Sequence, residues 1–553
     1  MRFKTLFTSM IATLALAGCS SEDGPNMGND TNDDGYGYVA VNIVEPKSVG
    51  SKANGSDKFQ DGTPEENKAE TGLFFIYDQD GTEMYNDPQV INLTNGDAAG
   101  SGSPYVEKIY KAVLVIDGVA EEPTVPLQII CVLNAPAELA QLPKATPLSV
   151  LKDQIDNYGA HTSGAFIMSN SVYKDGTTDV CGAIVTEANL KNSASAALAA
   201  PVNIYVERVV ARIQAKSFNF KNDGAKPTVD GQEKAFTIKV TGIEVANIAQ
   251  NSYLLKNIKN ISHTWNWNDP TNKRSYWETV PATNAAKPLT FGNKSYTQIA
   301  TDANFDIATL TGFKEYVQPN TTSNQKTAIL VTAQLLDGDV PADLAYIRGG
   351  YTTKEKAKDI VATYLQSQGY YKAGTAGVAY TSITPADLDW KNNGDFVDDN
   401  DKVTWLERYE VVAQIASTFN GTLYKKSTDG TYTKISADVI NEDLKKAENY
   451  VARVFTNGLC YYYVNIDQTP VATDNGYVYI GEGEAKGVFE GVIRNHIYDL
   501  TLNSISGVGT PIFDPEDVII PETPGDETLW YLGAKVNVLK WRLVGQTVDF
   551  TGK

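Results

Sequence analysis

The sequence predicts an all-β protein with minor helices, organised as two β-rich units in succession. Three observations carry that expectation. Thirty tyrosines stand against three histidines in 553 residues, a usage that suits pleated, half-buried strands. Short apolar runs recur between Asp/Gly turn signals. Few stretches carry helical periodicity, and no fixed-period repeat points to a solenoid or propeller.

Taken in order, the chain opens with a basic start (Arg2, Lys4), an apolar run from Leu6 to Ala17, and Leu16-Ala17-Gly18-Cys19. The run is too short to cross a ~30 Å hydrocarbon core, and small residues precede the cysteine as a signal peptidase requires. Cys19 is therefore expected to become the acylated first residue of an exported lipoprotein. Ser20–Gly35 is Asp, Asn, Gly and Ser with almost nothing apolar, a tether. Tyr38, Val39, Ala40, Val41, Ile43 and Val44 then form a β-prone run stopped by Glu45-Pro46, and Lys47–Lys68 returns to loop composition. One strand is thus isolated between two flexible segments.

Gly72–Tyr77, Tyr105–Ile116 and Leu127–Leu133 read as sandwich strands. Pro136–Leu142 and Ser149–Asn157 read as short helices on one edge, and Val202–Phe218 as one long closing strand. A boundary is expected in the polar stretch Asn222–Lys234. The second unit starts at Ala235–Val240 and includes Ala328–Leu336, a helix over Thr353–Ser367, and closing strands Leu459–Ile466 and Ile497–Ile505. Pro511, Pro515, Pro521 and Pro524 make Thr510–Asp526 an extended spacer. Beyond it Leu532, Ala534, Val536 and Val538 alternate, the phase shifts, and Leu539, Trp541 and Leu543 alternate in turn, with Val548 and Phe550 closing the chain. That segment has no neighbour in sequence to pair with, and so apolar an edge needs a destination.

Composition narrows the function classes. A net charge of −20 and a pI near 4.7 argue against nucleic acid and against an electrostatic hold on anionic lipid. Beyond the leader no stretch is long and apolar enough to span a bilayer, leaving the lipid as the anchor. Of the four cysteines, Cys131 and Cys460 sit in apolar runs as buried small hydrophobes; a Cys131–Cys181 bridge stays open. Asp389–Asp401 suggests a calcium loop, but Lys391 and Asn400 stand at its third and twelfth places, so the ligand set fails. His161, His263 and His496 are scattered, and neither a metal-ligand pair nor a nucleophile elbow nor a phosphate loop occurs. No cofactor, metal or enzymatic activity is expected. Trp265, Trp267, Tyr276 and Trp277 suit either a sugar-stacking surface or the packing of the second sandwich; Arg494 and His496 suit structural hydrogen bonds to nearby loops.

Two strands at opposite ends of the chain have complementary uses. If Tyr38–Val44 fills a groove in the first sandwich, its removal exposes unpaired backbone and apolar pockets that a C-terminal strand of a second subunit can occupy. The seam is ~23 Å long, and its four or five apolar side chains at about 1.5–3 kcal/mol each make it long-lived. Such a head-to-tail contact need not close and so yields a filament. Removal requires a cut, and Lys47, Lys52, Lys58 and Lys68 lie in the flexible stretch where proteolysis concentrates. No arginine occurs between Arg2 and Arg208, which excludes a protease restricted to arginine. The same lysines also serve simply to solubilise a linker.

The chain resembles the Bacteroidales fimbrillins, the FimA/Mfa-like family, and within it the shaft subunit of the minor fimbrium. The resemblance rests on the leader, Val206-Glu207-Arg208-Val209-Val210-Ala211-Arg212, Lys273-Arg274-Ser275-Tyr276-Trp277 and Tyr461-Tyr462-Tyr463-Val464-Asn465. Val492-Ile493-Arg494-Asn495-His496-Ile497-Tyr498 and Val536-Asn537-Val538-Leu539-Lys540-Trp541 complete it, in matching order along nearly the whole chain. It implies two transthyretin-like β-sandwich domains, trypsin-like removal of the N-terminal strand, and strand exchange into a fimbrial shaft. The family's cut follows a basic residue in a Gly-Ser-x-Arg-Ala-like context; here Gly50-Ser51-Lys52-Ala53 matches with lysine for arginine, implying a protease that accepts lysine at Lys52–Ala53.

The expected organisation is a signal peptide over 1–19, a tether and removable strand over 20–52, sandwiches over 53–228 and 229–509, and a spacer with donor strand over 510–553. The removable strand is marked by Tyr38, Val39, Val41 and Ile43, the donor strand by Val536, Val538, Leu539, Trp541 and Leu543. Expected partners are other copies of the chain, fimbrial anchor and tip subunits, the maturation protease, host or bacterial surface receptors, and the outer membrane before cleavage, with no nucleic acid. The alternative is a tip adhesin or a monomeric glycan-binding surface lipoprotein held by Cys19; the spare C-terminal strand favours the shaft.

Overall fold

In the computed structural model the described residues are 37–46, 62–93, 97–98, 106–116, 126–158, 166–170, 173–175, 178–180, 182–257, 278–282, 286–302, 306, 311–322, 325–373, 379–392, 410–468, 471–473, 476–478, 489–521, 530–540 and 544–545. The fold is all-β with minor helices. Strands form close to where the apolar runs put them, among them Thr71–Tyr77, Val106–Ile116, Leu127–Leu133, Ala328–Asp337, Leu459–Asn465 and His496–Gly507. Thr71–Tyr77 and Leu127–Leu133 are buried on both faces, which is why they read as continuous apolar runs and not as alternation.

The first sheet runs Gln89–Asn92, Thr71–Tyr77, Leu127–Leu133, Met168–Asn170, Val202–Arg208, Gly37–Pro46, Val106–Ile116 and Asp97–Ala98. Strands from its two ends share one core, in which Phe74, Ile129 and Cys131 join Val39, Val41, Leu114 and Ile204, so the sheet folds over itself as a sandwich. Leu73, Phe75, Ile130 and Val132 point the other way, beneath the short helical turns Ala137–Gln141 and Leu148–Lys152. Cys131 is a free, buried thiol, as is Cys460, whose burial pushes its thiol up to about 12. Cys181 lies outside the described residues.

The long strand expected over Val202–Phe218 is two strands. Val202–Arg208 stays in the first sheet, the chain turns at Val209–Val210, and Ala211–Gly224 enters a second sheet between Lys314–Val317 and His496–Gly507. The change of sheet falls inside the run expected as one strand. Its physical cause is that apolar residues continue without a break across the turn, because Val209 and Val210 are themselves buried under the first sheet.

The second sandwich pairs that sheet with another, ordered Thr237–Ala246, Ala328–Asp337, Leu459–Asn465 and Thr510–Pro511. Ile213, Leu500 and Leu502 from one layer and Ile243, Ile329, Val331 and Tyr462 from the other fill one core. Ala328–Asp337 and Leu459–Asn465 are direct antiparallel partners, so the intervening chain is a long excursion between two central strands of one sheet. It supplies five strands of a seven-stranded sheet completed by Thr228–Val229 and Gln232–Glu233, the helices Lys354–Ser367 and Ala437–Lys445, and a four-stranded sheet of Tyr380–Ser382, Tyr370–Ala373, Thr422–Lys426 and Tyr432–Ile435. Helix Lys354–Ser367 begins where Thr353 accepts the Lys356 N–H, buries Ala357, Val361 and Leu365 at helical spacing, and stops at Gly369, whose φ of 79° most other residues resist.

Thr510–Pro521 is not a free spacer. Ile512 and Ile519 are buried, the Ile512 N–H donates to the Leu459 carbonyl at 3.0 Å, and the Ile519 N–H donates to that of Lys294 at 3.0 Å. The prolines limit laddering, but the residues between them have apolar side chains to bury and N–H groups to give. Residues 389–392 close the strand Leu388–Asn392, and the rest of the Asp389–Asp401 loop lies outside the described residues, as do Trp265, Trp267, Tyr276 and Trp277.

Candidate functional site

The N-terminal strand is an interior strand joined to neighbours remote in sequence. Gly37–Pro46 runs antiparallel to Val106–Ile116, with Val39 opposite Leu114 and Val41 opposite Ala112. On its other side it runs parallel to Val202–Arg208, with Val41 opposite Val202 and Val44 opposite Tyr205. Val39, Ala40 and Val41 are 0 to 1% exposed. Because both flanking strands use this one strand as their bridge, withdrawing it would leave two facing rows of backbone donors and acceptors without partners. Tyr38 and Ile43 take their backbone places in the same ladder. Cys19, Lys47, Lys52, Ala53 and Lys58 lie outside the described residues.

The C-terminal strand Trp530–Lys540, expected to lack a neighbour, extends a sheet of the second sandwich, antiparallel to His496–Gly507 on one side and to the short strand Val544–Gly545 on the other. Its register sets Ala534, Val536 and Val538 opposite Leu502, Leu500 and Tyr498, all core residues, while Lys535 and Asn537 stand opposite Thr501 and Asp499 and Leu539 opposite Ile497. An apolar strand settles on the nearest edge whose alternation matches its own. Trp541 and Leu543 lie outside the described residues.

Between the two sandwiches sits a buried polar cluster that composition did not reveal. Glu66, on the loop ahead of Thr71–Tyr77, receives Arg212 at 2.6 Å, the Thr63 N–H at 2.8 Å and the Tyr316 hydroxyl. Arg208 donates to the Glu66 carbonyl at 2.8 Å, to the Asn67 side chain, and to Asn495 at 3.2 Å. Burial alone would raise the Glu66 pKa, but the Arg212 charge and the hydrogen bonds from Tyr316 and Thr63 hold it below its ordinary 4.5. Two further buried pairs stand nearby: Lys256 with Glu207 at 2.8 Å and Arg494 with Glu278 at 2.7 Å. Arg494 also donates to the Leu254 and Tyr253 carbonyls, and the His496 ring meets the Arg494 carbonyl at 2.7 Å, the structural role expected of both. The cluster fastens the chain from Gly62 onward to Arg208 and Arg212, on either side of the Val209–Val210 turn, and through Arg208 to Asn495 just ahead of His496–Gly507. The only sequence signal for it was the pair Arg208 and Arg212 inside an apolar run.

Among the described residues no group of three His, Cys, Asp or Glu side chains is placed to hold a metal ion, and no helix is long and apolar enough to cross a membrane.

Comparison with known proteins identifies the C-terminal part. Residues 453–547 match the model for the major fimbrial subunit protein type IV, fimbrillin, C-terminal. That span contains His496–Gly507 and Trp530–Lys540. Among solved structures, a candidate cell adhesion protein from Parabacteroides distasonis is 13% identical, covering 93% of this chain and 98% of its own, with a TM-score of 0.38. The tip fimbrial protein Mfa3 from Porphyromonas gingivalis, with C-terminal truncation, is 11% identical over 92% of this chain and 100% of its own, TM-score 0.31. A fimbrial assembly protein from P. distasonis is 11% identical over 72% and 99%, TM-score 0.27. No curated protein matches the sequence. Over residues 453–547, the C-terminal part of this chain is similar to the C-terminal region of fimbrillin, a major fimbrial subunit.

Proposed function

We propose that the chain is a shaft subunit of a cell-surface fimbria, exported as a lipoprotein through Cys19, cut at Lys52–Ala53, and polymerised head to tail by strand exchange. The observation that carries the reading is the place of Gly37–Pro46: an interior strand, contributed by the extreme N-terminal part, that bridges two strands otherwise without contact in that sheet. After a cut in the lysine-bearing stretch only main-chain bonds and a few apolar side chains hold that strand. Glu66 and Asn67, clamped by Arg208 and Arg212, keep the remaining chain in place while the strand departs. The vacated groove takes the Trp530–Lys540 strand of a second copy, released from its own sheet, with Val536 and Val538 facing inward. Other copies, anchor and tip subunits and a lysine-accepting protease are the partners, and the cycle moves the protein from the outer membrane to the extracellular fimbrium, supporting adhesion and biofilm growth.

Deleting residues 530–553 tests the reading. The truncated protein is expected to be exported, cut and folded, yet to give only monomer on an unboiled gel. Long ladders from the truncated protein would place the donor strand elsewhere.

A further inference from the structure

The excursion between the sandwich strands presents a surface that neither strand exchange nor the sandwich cores use. In its four-stranded sheet the inner face is fixed: Tyr370 and Leu423 are buried with Leu365 and Leu444 of the two helices, and the Lys425 ammonium lies 3.6 Å from the Tyr370 ring centre. Pairing of Tyr371 with Tyr424, of Lys426 with Tyr432, and of Tyr424 with Lys434 puts those residues on the opposite, outer face. Tyr380, 45% exposed, joins them from the edge strand.

The rings form one rigid cluster. Tyr380 and Tyr432 stack at 3.7 Å and 3°, Tyr424 meets Tyr380 edge-on at 4.9 Å, and Tyr371 meets Tyr432 edge-on at 5.5 Å. Lys426 lies 5.5 Å from the Tyr432 ring centre, and neither Lys426 nor Lys434 has an ion pair with a described carboxylate. The nearby Asp429 is turned into its own hairpin by Ser427 and Thr431. Among the described residues this aromatic, cationic face has no carboxylate paired with its lysines, on a chain of net charge −20.

We propose that this face binds a saccharide, specifically a pyranose chain carrying acidic groups. Fixed ring faces attract the polarised C–H faces of pyranoses at little ordering cost, and the two lysines match carboxylate or sulfate groups. Size separates this occupant from a folded protein. Four short strands present on the order of 250 Å², against roughly 800 Å² per partner in a stable protein interface, whereas a short run of sugar rings fits.

The test is native affinity electrophoresis of the full-length protein in gels containing hyaluronate, with neutral dextran as control. Retardation by hyaluronate is expected, at least tenfold weaker in Tyr380→Ala and in Lys426→Ala/Lys434→Ala, with unfolding midpoints kept. Tyr380→Leu, which retains bulk but loses the flat ring, is expected to lose binding equally, so the result does not hang on one variant's folding. No retardation, or equal retardation in all variants, overturns the proposal. So does a dimer in sedimentation that Tyr380→Ala dissolves, since the face would then serve a second protein. The readout uses monomer and is independent of how subunits join.

Discussion

Replacing both Val39 and Val41 by alanine is expected to convert a retained N-terminal strand into one that leaves as soon as it is cut. Both side chains lie in the first core beside Phe74, Leu114 and Ile204 and are essentially inaccessible to water. Four methyl groups are lost, at ~0.8 kcal/mol each, and the residual cavity brings the cost to about 4 kcal/mol. Since about 1.4 kcal/mol is tenfold in an equilibrium constant, retention of the cut strand falls by roughly a thousandfold. The assay is limited tryptic cutting of purified precursor followed by size separation and mass measurement, over time, of the released N-terminal fragment that contains residues 37–46. Val115, 36% exposed on the neighbouring strand, supplies the control: Val115→Ala should release the fragment at the native rate. If the double variant also releases it at the native rate, the buried valines do not hold the strand and the reasoning fails.

Replacing Lys47, Lys52 and Lys58 together by alanine should leave an uncut, lipid-anchored monomer, read by gel size and N-terminal sequence. Aspartate at Val536 or Val538 should weaken assembly far more than at Lys535 or Asn537, because a buried, unpaired carboxylate costs several kcal/mol; the length distribution of unboiled ladders reads the contrast. Glu66→Gln should destabilise the protein by about 3 kcal/mol, because it removes the carboxylate that faces the buried Arg212 guanidinium at 2.6 Å, as measured by denaturant titration. The folded Glu66 pKa is held below its ordinary 4.5. Its contribution is therefore complete above about pH 4.5 and lost as pH falls through the lower folded value; Glu66→Gln should flatten the acid limb of stability in that window.

Strand runs were legible in the sequence; their pairing was not. Leu127–Leu133 has the expected bounds because a double-sided apolar run admits one reading. Nothing local tells that Val41 lies beside Val202, or that Val202–Phe218 divides at Val209–Val210, since burial continues through the turn. The helix Ala437–Lys445 escaped notice because only Ile440 and Leu444 are buried along it, too short a stripe to stand out. Glu66 sits in a loop of polar composition, where a carboxylate reads as solvated until its arginines, far along the chain, are folded against it. The four tyrosines of the outer face come from four separate strands, so their clustering exists only once the sheet has formed. The alternation of Ala534, Val536 and Val538 could be seen, and the register on His496–Gly507 keeps that phase.

The central claim is that assembly follows removal of the N-terminal strand, and the most direct measurement is the N-terminal sequence of protein sheared from cells, taken with its gel behaviour before and after boiling. The account predicts a chain starting at Ala53 that runs as a ladder unboiled and collapses to one band on heating. A chain starting at acylated Cys19 and running only as monomer would contradict it.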